Sequence, residues 1–291
     1  MSHPRRPFLC LFTLLALAGL PGCYLRQAFY VSPFNGNTAD YHTQPMVRDS
    51  ARSAVYVSGT YFTGGANDNH TDYYNAFHTE VYRSHHGKFL QGFYGLDLTL
   101  GDFATGRWDT TLHNNWNPRY GPPVNAVALN HFAGHRFFGG TGFNGGMNLV
   151  MPFRNGEWRY IGLETSLRRE FGDYLSFRKQ LPDSVATMIV RNNFYGTMGL
   201  SSEICLQIRD GELGFRLATG WVLGGDYNYL SIYNNATGGP LRFHYTSFSF
   251  HYSHQQYTGF LQTNFATKAL ALHLGINYRL SKPKLRSRSL Y

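Results

Sequence analysis

Charge is scarce in this chain: Asp, Glu, Lys and Arg make up 15% of its 291 residues, against roughly 25% in a soluble globular domain. Lysine is scarcer still, with five among the 26 basic residues. After residue 20 no apolar run approaches the roughly 20 residues of a membrane-spanning helix. If the mature chain crosses a membrane, it must therefore do so as a closed barrel. Cysteine is also nearly absent. Cys10 lies in the leading apolar run, Cys23 just behind it and Cys205 alone within a strand pattern, so no intrachain disulfide is available to the mature chain. A lone thiol among strand residues reads as a small packed side chain rather than a nucleophile. Walker, zinc-finger and G-x-S-x-G spacings are missing as well.

What is abundant is aromatic residues, 16% of the chain, and 32 glycines. The clearest stretch is 269–280. Leu270, Leu272, Leu274, Ile276, Tyr278 and Leu280 share one face; Ala271, His273, Gly275, Asn277 and Arg279 share the other. This is the period of a two-faced β-strand, and its length suits the 9–11 residues with which a tilted strand crosses a bilayer.

The pattern recurs. Residues 54–62 form a first strand, and three hairpins follow with tight turns: 72–83 with 88–100, 141–152 with 158–169, and 194–208 with 212–223. Asn155-Gly156 and Asp210-Gly211 are strong hairpin signals. Long connections separate the hairpins, at 101–140, 172–193 and 224–239. Tight turns alternating with long loops are the habit of outer-membrane barrels. Residues 241–252 mix their faces, with Phe243 and Tyr245 on one and Phe248 and Phe250 on the other, which suggests a bulge that switches the phase. With 258–265 and 269–280 the count is ten antiparallel strands in an up-and-down transmembrane β-barrel, eight being the alternative. Ten leaves both ends of the barrel on the periplasmic side.

The polar faces carry Glu80, Asp97, Glu164, Arg168, Glu203, Arg216, His273 and Arg279. Both signs are present and sparse, which suits a narrow lumen where opposite charges must pair to offset desolvation. These eight are the expected lumen network.

At the N-terminus, Arg5-Arg6, an apolar run from Phe8 to Leu20 and Pro21-Gly22-Cys23 describe a secretory signal, residues 1–22, removed on export. Its loss takes the formal charge from +9 to +7. Leu20-Pro21-Gly22-Cys23 resembles the lipobox of bacterial lipoproteins, which implies diacylglycerol on Cys23. Residues 23–53 lack periodicity and read as a tether from the lipid anchor to a barrel spanning 54–280. The basic segment 281–291 reads as a periplasmic tail.

Lipobox, hairpins and the closing Leu-Gly-Ile-Asn-Tyr-Arg-Leu together resemble the outer-membrane β-barrel proteins of Gram-negative bacteria. The aromatic, Asn- and Gly-rich texture is similar to barrel lipoproteins of Bacteroidetes. In that family the closing strand ends the chain with an aromatic residue, whereas eleven residues follow Leu280 here. The resemblance implies outer-membrane localisation. It also implies outer-membrane lipids and the barrel-insertion and lipoprotein-processing machineries as partners, with an extracellular ligand able to meet the long loops. An exported lipoprotein would not meet nucleic acid, and the positive charge is not clustered into a surface for it.

The remaining motifs are weak. Gly140-Thr141-Gly142-Phe143-Asn144-Gly145 matches G-x-G-x-x-G but leads into a strand rather than a helix, so no dinucleotide site is expected. His131 and His135 have metal-pair spacing, but Gly134 lies between them. A lipid-acting rim enzyme would need a Ser and His pair near the outer rim, the nearest being Ser249 with His251, with His254 close by. No catalytic, cofactor or metal residue is therefore assigned. The expected role is a structural or surface-interaction barrel; the alternatives are a narrow channel for ions or small solutes and a rim-located lipid- or lipopolysaccharide-modifying enzyme.

Overall fold

The computed structural model describes residues 28–46 except 36, 52–67, 72–108, 125–209 except 183 and 187, 211–223, 243–266 and 269–281. Cys10, Cys23, the signal segment and nearly all of the basic tail lie outside the described residues.

Ten strands close into one antiparallel barrel: β2 (Ser53–Gly65), β3 (Tyr73–His86), β4 (Leu90–Thr105), β5 (Gly134–Phe153), β6 (Gly156–Phe171), β8 (Phe194–Ile208), β9 (Gly211–Leu223), β10 (His244–His254), β11 (Tyr257–Ala266) and β12 (Ala269–Arg279). Each strand pairs with its neighbours in sequence, and β12 closes on β2 with His273 opposite Phe62 and Leu274 opposite Tyr61. Two-residue strands, β1 (Phe29–Tyr30) and β7 (Met188–Ile189), pair in parallel outside the barrel sheet. Among the described residues, two short helices, α1 (Ala126–Asn130) and α2 (Asp173–Gln180), lie in the long connections.

The period-two pattern decides which way each side chain points. On β12, Leu270, Leu272, Leu274 and Ile276 are 45–63% exposed, whereas Ala271, His273 and Asn277 are at most 1% exposed. The same inversion runs round the wall: Leu96, Leu98, Phe143, Leu163, Leu200, Phe215 and Leu261 all face outward. A continuous apolar belt of this size would be insupportable in water and is what lipid requires. The barrel is of the outer-membrane type.

At one end the connections are turns at 87–89, 154–155, 209–210 and 255–256. Arg209 and Gln255 take positive φ, 52° and 54°, as two-residue hairpin turns demand. At the other end lie the connections 106–133, 172–193 and 224–243. By the usual arrangement the short-turn end is periplasmic and the long-loop end extracellular.

Two sequence expectations change. Residues 241–252 need no phase switch. β10 keeps an unbroken register with both neighbours, and Phe243 and Tyr245 point inward because an apolar cluster at the long-loop end receives them. Register shifts fall instead in the pairs of β5 with β6, at Leu149/Val150, and of β6 with β8, at Arg159/Gly162.

The larger change concerns the expected tether. Of its residues, 28–35 and 37–45 are buried and Met46 is half-buried; they run down the inside of the barrel. About ten strands leave an interior just wide enough for side chains, and the small inward residues of β5 make room for a chain as well. Gly140 lies against the Phe34 ring, where a Cβ would collide with it. The G-x-G-x-x-G stretch is thus part of a strand, and its first glycine accommodates the internal segment.

Candidate functional site

Among the described residues, the lumen is where the fold gathers polar chemistry. Its occupant, residues 28–46, meets the wall at successive levels from the long-loop end to the short-turn end.

At the long-loop end the contacts are largely aromatic. Phe29, Tyr30, Phe34, Phe103, Phe138, Tyr174 and Phe177 share one buried cluster. Phe103 and Tyr174 stack with ring centroids 3.8 Å apart, and Tyr30 meets Phe177 edge-on at 5.5 Å. Tyr174 Oη donates to the Val31 carbonyl, 3.1 Å. Within this cap Arg178 and Glu170 form a buried pair at 2.5 Å, and Arg178 Nη1 also donates to the Val190 carbonyl, 2.6 Å. Burial works against the charge on Arg178, but the Glu170 carboxylate, with Tyr195 and Tyr174 adding to it, more than offsets this and holds the guanidinium charged. Burial pushes the Tyr174 phenol well above its ordinary value.

In the middle, Asp40 is the hub. Its carboxylate lies 3.3 Å from His273 Nδ1, 3.5 Å from His78 Nε2 and 3.5 Å from Arg168 Nη2. Arg168 Nε donates to Asp97 Oδ1, 2.9 Å. His42 Nε2 sits 3.0 Å from both oxygens of Glu80, and its ring stacks on Phe93 at 4.2 Å. Arg216 pairs with Glu164, which also accepts from Ser201 Oγ, 2.8 Å. Beside this level lies a cavity of about 10 Å³, room for a single water at most.

Toward the short turns Arg159 takes over. It donates to Glu203 Oε2, 2.6 Å, to Glu157 Oε1, 2.9 Å, and to the Gln44 carbonyl, 3.1 Å. Gln91 Nε2 donates to Glu157 and to the Pro45 carbonyl. His251 Nε2 lies 2.9 Å from Glu203 and 4.0 Å from Cys205 Sγ, and Tyr41 stacks on its ring at 4.6 Å. Gly214 permits this, since a Cβ there would overlap the imidazole. Among the described residues, Glu203, Cys205 and His251 hold metal-type donor atoms within 4.8 Å of one another. Arg159 already supplies positive charge at Glu203 Oε2, and His251 Nε2 faces Oε1.

All eight residues of the expected network point inward and are at most 9% exposed. The structure joins Asp97 to Arg168 and Glu164 to Arg216 directly, and brings Glu80 and His273 to His42 and Asp40 of the internal segment. Glu203 meets Arg159, and Arg279 Nε donates to Ser281 Oγ, 3.3 Å, toward the short-turn mouth. Sequence reasoning missed Asp40, His42, His78, Glu157 and Arg159. His78 shares the inward phase of Glu80 and was open to the same reading. Asp40 and His42 were hidden because a chain threading a lumen has no period.

Ser249 and His251 do not lie at the outer rim. Both are buried in the lumen, Ser249 Oγ donating to Gln262 Oε1, 2.8 Å, and His254 is exposed beside a short turn. Strand phase turns the first two inward, and their position along β10 puts them away from the long loops. His135 meets Asp102 on the outside of the wall, 2.5 Å, and His131 caps α1.

No protein-family model matches the chain, and no curated protein matches it. Solved structures similar in fold include the β domain of the Bordetella autotransporter BrkA, 8% identical, with 78% of this chain and 99% of that one covered and a TM-score of 0.41. An outer-membrane channel from Pseudomonas putida F1 is 8% identical over 82% of this chain and 100% of that one, TM-score 0.34. The KdgM porin is 6% identical over 76% and 98%, TM-score 0.27. At these identities the likeness is one of fold.

Proposed function

We propose that this protein is a narrow outer-membrane passage for ions or small solutes, held shut at rest by its own residues 28–46. The observation that carries the reading is the chemistry of the wall. A barrel built only as a scaffold could fill its interior with apolar side chains, yet this one lines it with Asp97, Arg168, Glu164, Arg216, Glu203, Arg159 and a run of Asn, Ser and Thr. Among the described residues, Asn144 Oδ1, Arg216 Nη1, Ser247 Oγ and Asn277 Oδ1 are buried without a protein partner. Buried polar atoms ordinarily find one, so such a wall is suited to water or solute.

The remainder of the reading is lipid anchorage at Cys23 after removal of residues 1–22, insertion and processing by the outer-membrane machineries, contact with an extracellular ligand through the long loops, and no catalytic role. A second reading, a permanently closed barrel with a structural or surface-interaction role, is favoured by how fully the internal segment is bonded to the wall. Planar-bilayer recording separates the two. The full chain should conduct little, and Asp40→Ala combined with His42→Ala in a Cys23→Ala background, which removes two polar anchors of the segment and leaves its upper end unfastened, should give discrete openings. A folded double variant that stays silent overturns the channel in favour of the closed scaffold.

A further inference from the structure

The direction in which the internal segment runs has a consequence for the cell surface. Phe29 N donates to Asn67 Oδ1, 2.6 Å, in the β2–β3 connection, and β1 pairs with β7 in the connection between α2 and β8. Both partners belong to the long-loop end. Lower down, the Ala39 carbonyl accepts from Gln262, 2.5 Å, and Asn277 Nδ2 donates to Thr43 Oγ1, 2.8 Å. Last come the Gln44 and Pro45 carbonyls, bonded to Arg159 and Gln91 beside the short turns. The segment therefore enters at the long-loop mouth and leaves at the short-turn mouth, where β2 begins.

Cys23 lies five residues before Ala28. Fully extended, five residues reach about 18 Å, and the lumen through which they would have to return is already filled by the descending segment. We infer that residues 28–46 enter the lumen from its outer mouth, so that Ala28 opens toward the cell surface; resting on the lipid anchorage proposed above, the acyl chains of Cys23 then belong to the outer leaflet. A lipoprotein reading alone puts the anchor on the periplasmic side; threading reverses it. The surface product is a lipid-held N-terminus beside the long loops.

The test uses the full chain in intact cells with a membrane-impermeant maleimide. Gln27→Cys reports the N-terminal stretch, Val127→Cys on exposed α1 reports the long-loop face, and Lys88→Cys reports the short-turn face. Cys205 is buried and serves as the silent background. Gln27→Cys should label together with Val127→Cys, without permeabilisation. Labelling together with Lys88→Cys, only after the outer membrane is opened, overturns the inference. Because both faces are reported, inverted insertion is visible too: Val127→Cys labelling only after the outer membrane is opened also overturns the inference. Palmitate incorporation that is lost in Cys23→Ala, with the side of Gln27→Cys labelling unchanged, supports the outer-leaflet anchor; its absence from the unmodified protein overturns that anchor. Neither readout depends on conductance, so failure here and failure of the channel reading are distinguishable.

Discussion

At the long-loop end the lumen is closed by rings, with Phe103 on Tyr174 and Tyr30 against Phe177; toward the short turns it is closed by ions, with Arg159 among Glu157 and Glu203. The two solutions respond to damage differently. Dispersion and burial are non-directional, so an aromatic cluster can repack around an altered neighbour. A buried guanidinium holding two carboxylates and a backbone carbonyl has no substitute, because removing it leaves the carboxylates charged, desolvated and unmatched.

That contrast can be broken by experiment. The largest effect should come from Arg159→Met, which keeps much of the volume and deletes the charge. We expect a loss of about 3–5 kcal/mol, read as a lower urea midpoint for the folded band that migrates fast on unheated gels. A loss under about 1 kcal/mol would mean that the carboxylates find water or protons easily and that the two ends are not distinct. Phe103→Leu, a swap of comparable modesty at the aromatic end, should cost no more than about 1.5 kcal/mol in the same assay. If it costs more than Arg159→Met, the comparison is inverted. Smallest is Tyr174→Phe, which keeps the ring stack and removes the hydrogen bond to the Val31 carbonyl. About 1 kcal/mol is expected, and no change would show that the stack alone holds β1 to the cap.

The strands of the barrel could be read from the chain because lipid on one side and polar side chains on the other enforce a strict period of two. Leu270 to Leu280 and Asp97 to Glu80 declare their faces without any tertiary information. β5 was harder. It begins at Gly134, well before the periodic stretch, since Gly139, Gly140 and Gly142 have no side chains to alternate. The lumen charges on strands were legible for the same reason as the strands. Asp40 and His42 were not, because the segment carrying them lies in an extended path fixed by contacts remote in sequence, such as Glu80, Arg168 and His273. Phe243 and Tyr245 misled for a related reason. They are aromatic and point inward, and only the cluster under the cap explains why that is favourable.

Consider the internal segment as a cord passed through a ring. Its lower end is tied to β2, with six residues, 47–52, between Met46 and Ser53; extended, the span covers at most about 25 Å. Drawn upward, the cord is held by its covalent tie to β2 and still blocks the passage. It can leave only downward, and that requires a free upper end. An N-terminus fastened in the outer leaflet would act as a stopper knot, so a single acylation event on Cys23 would decide whether the passage could ever clear. The fastened and unfastened forms of the same polypeptide would then differ in nothing visible within the barrel wall and yet differ in whether it can open.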